Sequence, residues 1–260
     1  MRIKISVPTS ALQRDLRKAI HTAMQLGAHG VQFDLRSEVT ADHFGDSARR
    51  QLQTYLSERN LELASGHFPL NRPLAEPERL DQRLAALNSA IALASKLKIR
   101  CLTLQPGELP DVESLQRGIL LQILSELATQ ANLHGVTLCL LSGGEPAAEL
   151  KQLISHIKTG QVMIAADPAD WVLQSRPYIT EFRELFGYIG HIEGRDASRG
   201  GGREVPIGQG EIDWNELAAL LTEMGYAGWI NIQRTVGNDR VNDIARGVQF
   251  ARQLFMVGTP

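Results

Sequence analysis

Polar side chains stand directly after short apolar runs at several points along this chain, and they are the residues that could do chemistry. Two of them are the carboxylates Asp167 and Glu193, and a third is the histidine His67. Carboxylates and imidazoles are the groups that most often take up and release protons in general acid–base catalysis. We therefore expect Asp167, Glu193 and His67 to be the catalytic residues.

Further polar residues at the ends of apolar runs are candidates for ligand binding. Each hydroxyl of a polyhydroxylated ligand needs a hydrogen-bond partner, and arginine adds recognition of a phosphate or a carboxylate. Taken singly, such residues could also be solvated rim residues; taken together, they form a polar ring for a small carbohydrate-like ligand. The residues expected to bind substrate are Gln32, Arg36, Gln105, Arg195, Asp196, Gln233 and Arg234.

The strands and helices that must position these residues alternate along the chain. Apolar residues at helical spacing, for example over residues 11–26, follow each short β-type run. The runs that predict strands lie at residues 3–7, 30–35, 61–65, 100–105, 136–141, 162–166, 188–193 and 228–233. The glycine-rich stretch 198–210 is expected to be a flexible loop.

The spacing of these elements predicts the fold. Eight strand–helix units in 260 residues, at roughly 30 residues a unit, predict an α/β fold, a single-domain (β/α)₈ TIM barrel over residues 1–260. A doubly wound open sheet is the alternative, but the first strand-to-helix turn lacks its glycine-rich phosphate motif. In a barrel, the candidate residues lie at the C-terminal ends of the strands, where TIM-barrel sites are built.

Composition and charge limit the partners and the location. The net charge of −2 argues against nucleic acid or an anionic membrane as a partner. Cys101 and Cys139 lie in apolar runs, and no Cys/His motif with zinc-ligand spacing is present. The sequence shows neither a signal-peptide pattern nor an apolar run of about 18 residues. We therefore expect a cytoplasmic protein with reduced thiols.

Several motifs of the chain resemble the sugar isomerase/epimerase superfamily with the xylose-isomerase-like barrel. They are GAHGVQF at 27–33, GVTL at 135–138, HIEGRD at 191–196, GQGEIDW at 208–214 and GYAGWI at 225–230. The resemblance spans nearly the whole chain. It implies the barrel and a carbohydrate-type ligand, and it leaves a homodimer open.

The chain departs from this superfamily at the metal site. Its enzymes commonly hold a divalent metal with a Glu, an Asp, a His and a Glu on strands five to eight, and the two Glu serve as the acid–base pair of the epimerases. The corresponding positions here are Leu141, Asp167, Glu193 and Gln233, and the acidic position of strand two is Gln32. Asp167, Glu193 and Gln233 still offer oxygen ligands. The resemblance therefore implies that Mg²⁺, Mn²⁺ or Zn²⁺ is held weakly or not at all.

Two functions remain open at this point. The first is a divergent isomerase or epimerase that acts on a sugar, a sugar phosphate or a polyol at the C-terminal mouth of the barrel. The alternative is a non-catalytic carbohydrate-binding or regulatory protein on the same barrel, which the lost glutamates favour. A multi-zinc DNA-repair endonuclease, which shares the barrel, is disfavoured because most of the seven histidines lie away from strand ends.

Overall fold

The fold is seen in a computed structural model of the chain, which describes residues 3–256. Eight parallel strands form a closed barrel, in which each strand pairs with its neighbours along the chain and the last strand returns to the first. The strands are β1 (Lys4–Pro8), β2 (Gly30–Asp34), β3 (Glu62–His67), β4 (Cys101–Leu104), β5 (Thr137–Leu141), β6 (Val162–Ala166), β7 (Ile189–Gly194) and β10 (Trp229–Ile232). The predicted TIM barrel is confirmed; the ends of the predicted domain, residues 1–2 and 257–260, lie outside the described residues.

Helices surround the barrel and cover its outer face. They are α1 (Thr9–Leu12), α2 (Leu16–Gln25), α3 (Asp46–Ser57), α4 (Leu80–Lys96), α5 (Leu115–Leu133), α6 (Ala147–Ser155), α7 (Pro168–Leu173), α8 (Tyr178–Glu184), α9 (Trp214–Glu223) and α10 (Arg240–Met256). Within residues 3–256, no helix combines the length and the apolar character that crossing a membrane would require.

The helix predicted over residues 11–26 is wrong in one respect, because it is two helices. The chain is extended at Gln13, and Asp15 then caps α2 by accepting a hydrogen bond from the backbone N–H of Lys18 at 2.9 Å. Aspartate at this position satisfies one of the free N–H groups of a helix start, so the local capping preference overrides the apolar spacing.

Burial on both faces explains the apolar strand sequences. The core is continuous from the barrel to the helices, and α5 contributes the fully buried Leu120, Leu124 and Leu127. Strands of a parallel barrel are covered on both sides, so they read as apolar runs rather than as alternating patterns. A polar residue inside such a strand is therefore a candidate for the functional site.

The stretch that was expected to be a flexible loop, residues 198–210, contains a strand pair at its start, so this prediction is wrong in part. β8 (Asp196–Ser198) and β9 (Arg203–Val205) form an antiparallel hairpin that is separate from the barrel sheet. The turn of the hairpin closes through the N–H of Gly202, which donates to the carbonyl of Arg199 at 3.0 Å with a φ of +56° at the glycine. The glycines supply this tight turn rather than flexibility.

Candidate functional site

A buried carboxylate lies at the C-terminal end of the barrel, surrounded by amide groups. Oε2 of Glu193 accepts hydrogen bonds from Nδ2 of Asn231 at 2.9 Å and from Nε2 of Gln233 at 3.0 Å. Its Oε1 accepts one long bond, 3.4 Å, from Nε2 of Gln32. Glu193 is only 1% exposed. We refer to these four residues as the Glu193 cluster.

A second layer of contacts determines which way the amides face. The hydroxyl of Ser6 donates to Oδ1 of Asn231 at 3.1 Å, and Nδ2 of Asn231 donates to Oε1 of Gln32 at 3.1 Å. Nε2 of Gln32 also donates to the hydroxyl of Ser65 at 3.1 Å. With both amide oxygens occupied, Asn231 and Gln32 can offer only their NH₂ groups to Glu193. Sequence reasoning missed Ser6, Ser65 and Asn231, although each is a polar residue inside an apolar strand.

Opposing effects act on the pKa of Glu193, which is raised overall. Burial raises its pKa, and the hydrogen bond from Asn231, the nearby His67 and the hydrogen bond from Gln32 oppose this rise. The ring of His191 lies 3.6 Å from Oε1 of Glu193, measured from Nε2. Burial lowers the pKa of His191 to about 4, so this ring is neutral at pH 7 and forms no salt bridge. Neither ring nitrogen has a hydrogen-bond partner within the described residues.

His67 ends β3 close enough to Glu193 for their charges to interact. Its Nδ1 lies 3.0 Å from the hydroxyl of Thr103, and that hydroxyl donates to the carbonyl of Gly66 at 3.4 Å. Since the Thr103 hydroxyl has an acceptor in the carbonyl of Gly66, we assign the His67 proton to Nδ1 and the lone pair to Nε2. Burial lowers the pKa of His67, against the attraction of Glu193 and Asp34. The site therefore holds a neutral imidazole with a free acceptor nitrogen.

Asp167 does not belong to the Glu193 cluster. One of its oxygens accepts from the N–H of Ala169 at 2.9 Å and caps α7, and the other lies 3.0 Å from Nε of Arg195. The same guanidinium contacts Asp170, and its Nε lies 3.9 Å from Glu204. We call Arg195 and these three carboxylates, Asp167, Asp170 and Glu204, the Arg195 cluster.

One guanidinium lies close to three carboxylates in this cluster, and its charge lowers the pKa of Asp167 and Asp170 against the effect of burial. Burial raises the pKa of Asp167 well above its ordinary value and also raises that of Asp170, with Arg195 opposing both shifts. Burial disfavours the charged form of Arg195, but the surrounding carboxylates outweigh burial and raise its pKa. Arg195 therefore stays charged, while the carboxylates compete for it.

Arg234 extends the ionic contacts to the hairpin and to α10. Its Nη1 donates to Glu204 at 3.2 Å and its Nε donates to Asp243 at 3.1 Å. Glu204 also accepts from the backbone N–H of Thr235 at 2.9 Å. Arg234 was expected to bind substrate, and the structure places its donors on carboxylates of the protein. Glu204 and Asp243 were not identified from the sequence, because nothing local marks them.

Asp196, also expected to bind substrate, is fully buried beneath the loop that precedes α9. Its carboxylate accepts from the side chain of Trp214 at 3.0 Å and from four backbone N–H groups, at residues 197, 208, 210 and 212. A Cβ atom on Gly210 would lie 2.0 Å from Oδ1 of Asp196, so only glycine fits there. The GQGEIDW motif therefore builds a scaffold around Asp196.

The remaining sequence candidates lie at the rim. Gln105 is half-buried directly after β4. Arg36 is exposed after β2, where its Nη1 donates to the carbonyl of Pro69 at 2.7 Å and its guanidinium stacks 5.8 Å from the ring of Phe68. The structure thus brings Gln32, Gln233 and Glu193 into direct contact, whereas Arg36 contacts Pro69 and Phe68.

The fold and the polar mouth define a TIM-barrel protein whose chemistry is built on strand ends. A sequence model of the family described as xylose isomerase-like TIM barrel matches residues 20–254. The chain belongs to this family. No curated protein matches the sequence.

Solved structures with the same fold cover almost the entire chain. A xylose isomerase domain protein from Planctomyces limnophilus has a TM-score of 0.85 and 21% identity, with 98% of each chain covered. The 3-keto-D-glucoside 4-epimerase from E. coli has a TM-score of 0.80 and 14% identity, with 97% of this chain and 100% of that chain covered. A D-psicose 3-epimerase has a TM-score of 0.77 and 14% identity, with coverages of 97% and 99%. At these identities, the similarity establishes the fold.

The residues present do not fit the divalent metal that the resemblance implies. The oxygens of Asp167 face a backbone N–H and Arg195, and the carboxylate of Glu193 accepts from three amides. Gln233 turns its NH₂ group towards Glu193, and Leu141 offers no ligand atom. Within residues 3–256, no three His, Cys, Asp or Glu side chains are grouped so that they could hold a metal ion. The expected ligands Asp167, Glu193 and Gln233 therefore do not converge on a cation.

Proposed function

We propose that this protein binds a small carbohydrate at the C-terminal mouth of the barrel and moves a proton at a carbon next to the sugar carbonyl. Membership of the family and the sugar epimerases among the similar structures support a carbohydrate ligand. The observation that carries the proposal is the buried Glu193, with a raised pKa, beside the neutral His67. A carboxylate and an imidazole that take up and release protons are what such chemistry requires.

Glu193 is the proposed base. Its Oε1 accepts a single long hydrogen bond, which leaves lone-pair capacity on that oxygen for a substrate proton. Removal of the C–H proton by Glu193 leaves the electron pair to form a C=C bond, and the carbonyl electrons move to oxygen. Glu193 then returns the proton to the former carbonyl carbon. The proposed role of Gln32 and Gln233 is to bind the hydroxyls and the oxyanion through their NH₂ groups.

His67 completes the proton balance. Its free Nε2 accepts the proton of the hydroxyl beside the carbonyl and passes it to the former carbonyl oxygen, so the imidazole ends as it began. Of the described residues, Glu193 is the one carboxylate in the hydrogen-bonded cluster at the mouth. One carboxylate suffices for a proton shift along one face, whereas epimerisation requires groups on both faces. Isomerisation is therefore the preferred reaction.

Asp167 and Arg195 take a positioning role in this proposal. Their ion pair joins the end of β6 to the residue that follows β7. A divalent metal would ordinarily carry negative charge on the substrate oxygen. With the metal positions occupied by internal contacts, that charge falls to the amide donors, and the proposed reaction proceeds without added metal.

Hydrogen–deuterium exchange tests the reaction directly. A panel of aldoses and ketoses is incubated with the protein in D₂O and EDTA, and loss of the C–H signal next to the carbonyl is followed by NMR. Glu193→Gln should lower the exchange rate by about 10²–10⁴-fold. Glu211→Gln is the matched control, because Glu211 is exposed and pairs with Arg199 away from the mouth. Exchange that survives Glu193→Gln, or that occurs only with added metal, would contradict the proposal.

A non-catalytic carbohydrate-binding protein is the second candidate. It is favoured by the three amide donors that already occupy Glu193 and by the replacement of the metal positions. Calorimetry with the same sugars separates the candidates. Binding without exchange supports this alternative, and no binding by any sugar would contradict both.

A further inference from the structure

A cavity of about 220 Å³ opens beside the mouth, outside the Glu193 and Arg195 clusters. It is bounded by the residues that follow β2 and β3 and by the first turns of α4. Four arginines line it, and no acidic residue does; they are Arg36, Arg72, Arg79 and Arg83. Asn71 and Gln82 add amide groups to the wall.

Two of these arginines are held in place by groups that carry no charge. Arg36 donates to the carbonyl of Pro69 at 2.7 Å. Arg83 donates to the carbonyls of Glu78 at 3.1 Å and Leu74 at 3.2 Å. A carbonyl oxygen orients a guanidinium without cancelling its charge, so both keep a full positive charge at the cavity. Nε of Arg83 is buried and has no hydrogen-bond partner within the described residues.

Arg79 adds a third uncompensated charge at the start of α4. It caps that helix in the left-handed region, with φ +53°, which is uncommon for a residue other than glycine. Within the described part of the chain, no carboxylate lies within ion-pair distance of Arg36, Arg79 or Arg83. Arg72 differs, because it pairs with Glu76 and with Glu78 at the exposed lip.

We propose that this cavity binds a phosphate monoester. Three guanidinium groups without counter-ions favour a dianion over a monoanionic carboxylate, and their planar donors match phosphate oxygens. The cavity lies at the same end of the barrel as the Glu193 cluster, because Arg36 in its wall follows β2 and Phe68 follows β3. The ligand is therefore a phosphorylated sugar, with the phosphate in the cavity and the carbonyl at the Glu193 cluster. This last step rests on the proposed function; phosphate binding does not.

Calorimetry at low salt tests the site with three probes: glucose 6-phosphate, glucose and inorganic phosphate. The sugar phosphate should bind more tightly than either other probe. Arg36→Ala and Arg79→Ala should each weaken its binding roughly tenfold, as expected for the loss of a hydrogen bond to a charged group. Neither residue is embedded in the core, since both are exposed, so the variants should fold.

Arg50→Ala is the matched control, because it removes the same charge from an exposed position on α3. Equal losses in Arg36→Ala, Arg79→Ala and Arg50→Ala would reveal non-specific electrostatics and overturn the site. Inorganic phosphate binding as tightly as the sugar phosphate would overturn the assignment to a sugar phosphate. Glu193→Gln should keep its affinity for inorganic phosphate, because Glu193 does not line the cavity. Phosphate binding without deuterium exchange would therefore contradict the proposed reaction and support this site alone.

Discussion

Nε of Arg195 lies 3.0 Å from Oδ2 of Asp167, so a fixed guanidinium faces the one carboxylate that this chain keeps from the metal site implied by the resemblance. The contact joins the end of β6 to the end of β7. Asp170 and Glu204 share the same guanidinium. A cation of the protein itself thus pairs with the carboxylate that the resemblance would assign to a metal ion.

Removing this guanidinium should be strongly destabilising. Arg195→Ala leaves Asp167, Asp170 and Glu204 without their shared partner, and removing one member of a buried ion pair costs about 3–5 kcal/mol. Urea unfolding at pH 7 measures the loss. Arg199→Ala is the control and should cost little, because its partner Glu211 is exposed. Equal urea midpoints for the two variants would contradict the role of Arg195.

The same variant should gain affinity for divalent cations. With Arg195 absent, oxygens of Asp167 and its neighbours become free to bind Mn²⁺, which prefers oxygen ligands. Mn²⁺ should then raise the melting temperature of Arg195→Ala by more than that of the wild type, as for any ligand that binds the folded state. An equal response of the two proteins to Mn²⁺ would show that the guanidinium does not exclude the cation.

His191 should make the protein lose stability in acid. Its pKa is lowered to about 4 in the folded state, against 6.5 for an ordinary histidine. Between these values the unfolded chain binds a proton that the folded protein refuses. Stability is therefore complete above about pH 6.5 and is lost as the pH falls to 4, by about 3 kcal/mol at 1.36 kcal/mol per pKa unit.

His191→Leu should remove this dependence, measured as urea unfolding free energies at pH 7 and pH 5. The difference from wild type isolates His191, because Glu193 with its raised pKa acts in the opposite direction in both proteins. His21→Leu, at an exposed position, is the control. A variant His191→Leu that loses as much stability in acid as the wild type would argue against a buried neutral ring.

Asn231 should tune the base of the proposed reaction. Its hydrogen bond is the largest effect that opposes the raised pKa of Glu193. Asn231→Ala should therefore raise that pKa further, and the acid limb of the exchange rate should move to higher pH, since a base works only when deprotonated. Asn215→Ala is the control, because it removes the same side chain from an exposed position on α9. If the acid limb of the exchange rate does not move in Asn231→Ala, Glu193 is not the base that limits the rate.

The buried loop around Asp196 should tolerate no side chain at Gly210. A Cβ there would lie 2.0 Å from Oδ1 of Asp196 and 2.5 Å from the carbonyl of Ala197. Gly210→Ala should cost about 1–3 kcal/mol of unfolding free energy through overpacking. Gly118→Ala is the control, because nothing lies within 4 Å of its Cβ position in α5. It should be neutral or stabilising, since alanine favours a helix. Similar melting temperatures for the two variants would contradict the tight loop.

The amino-acid sequence alone was enough to predict the barrel fold and to place the polar residues at the C-terminal ends of its strands. Strand runs that are apolar on both faces recur at the spacing of strand–helix units, and this pattern is local enough to be read directly. His67, Glu193 and Gln233 were identified in this way, because each follows or ends an apolar run, and Gln32 was identified as a polar residue of the run at 30–35.

Only the tertiary structure decided what each of these residues does. The parallel register sets Glu193 opposite Asn231 and Asn231 opposite Ser6, positions that are far apart along the chain. The neighbours Arg195 and Asp196 also have different roles: one pairs with carboxylates, and the other is buried beneath a loop. A local pattern records residue type and spacing, whereas these contacts depend on strand pairing and on which elements pack over the mouth.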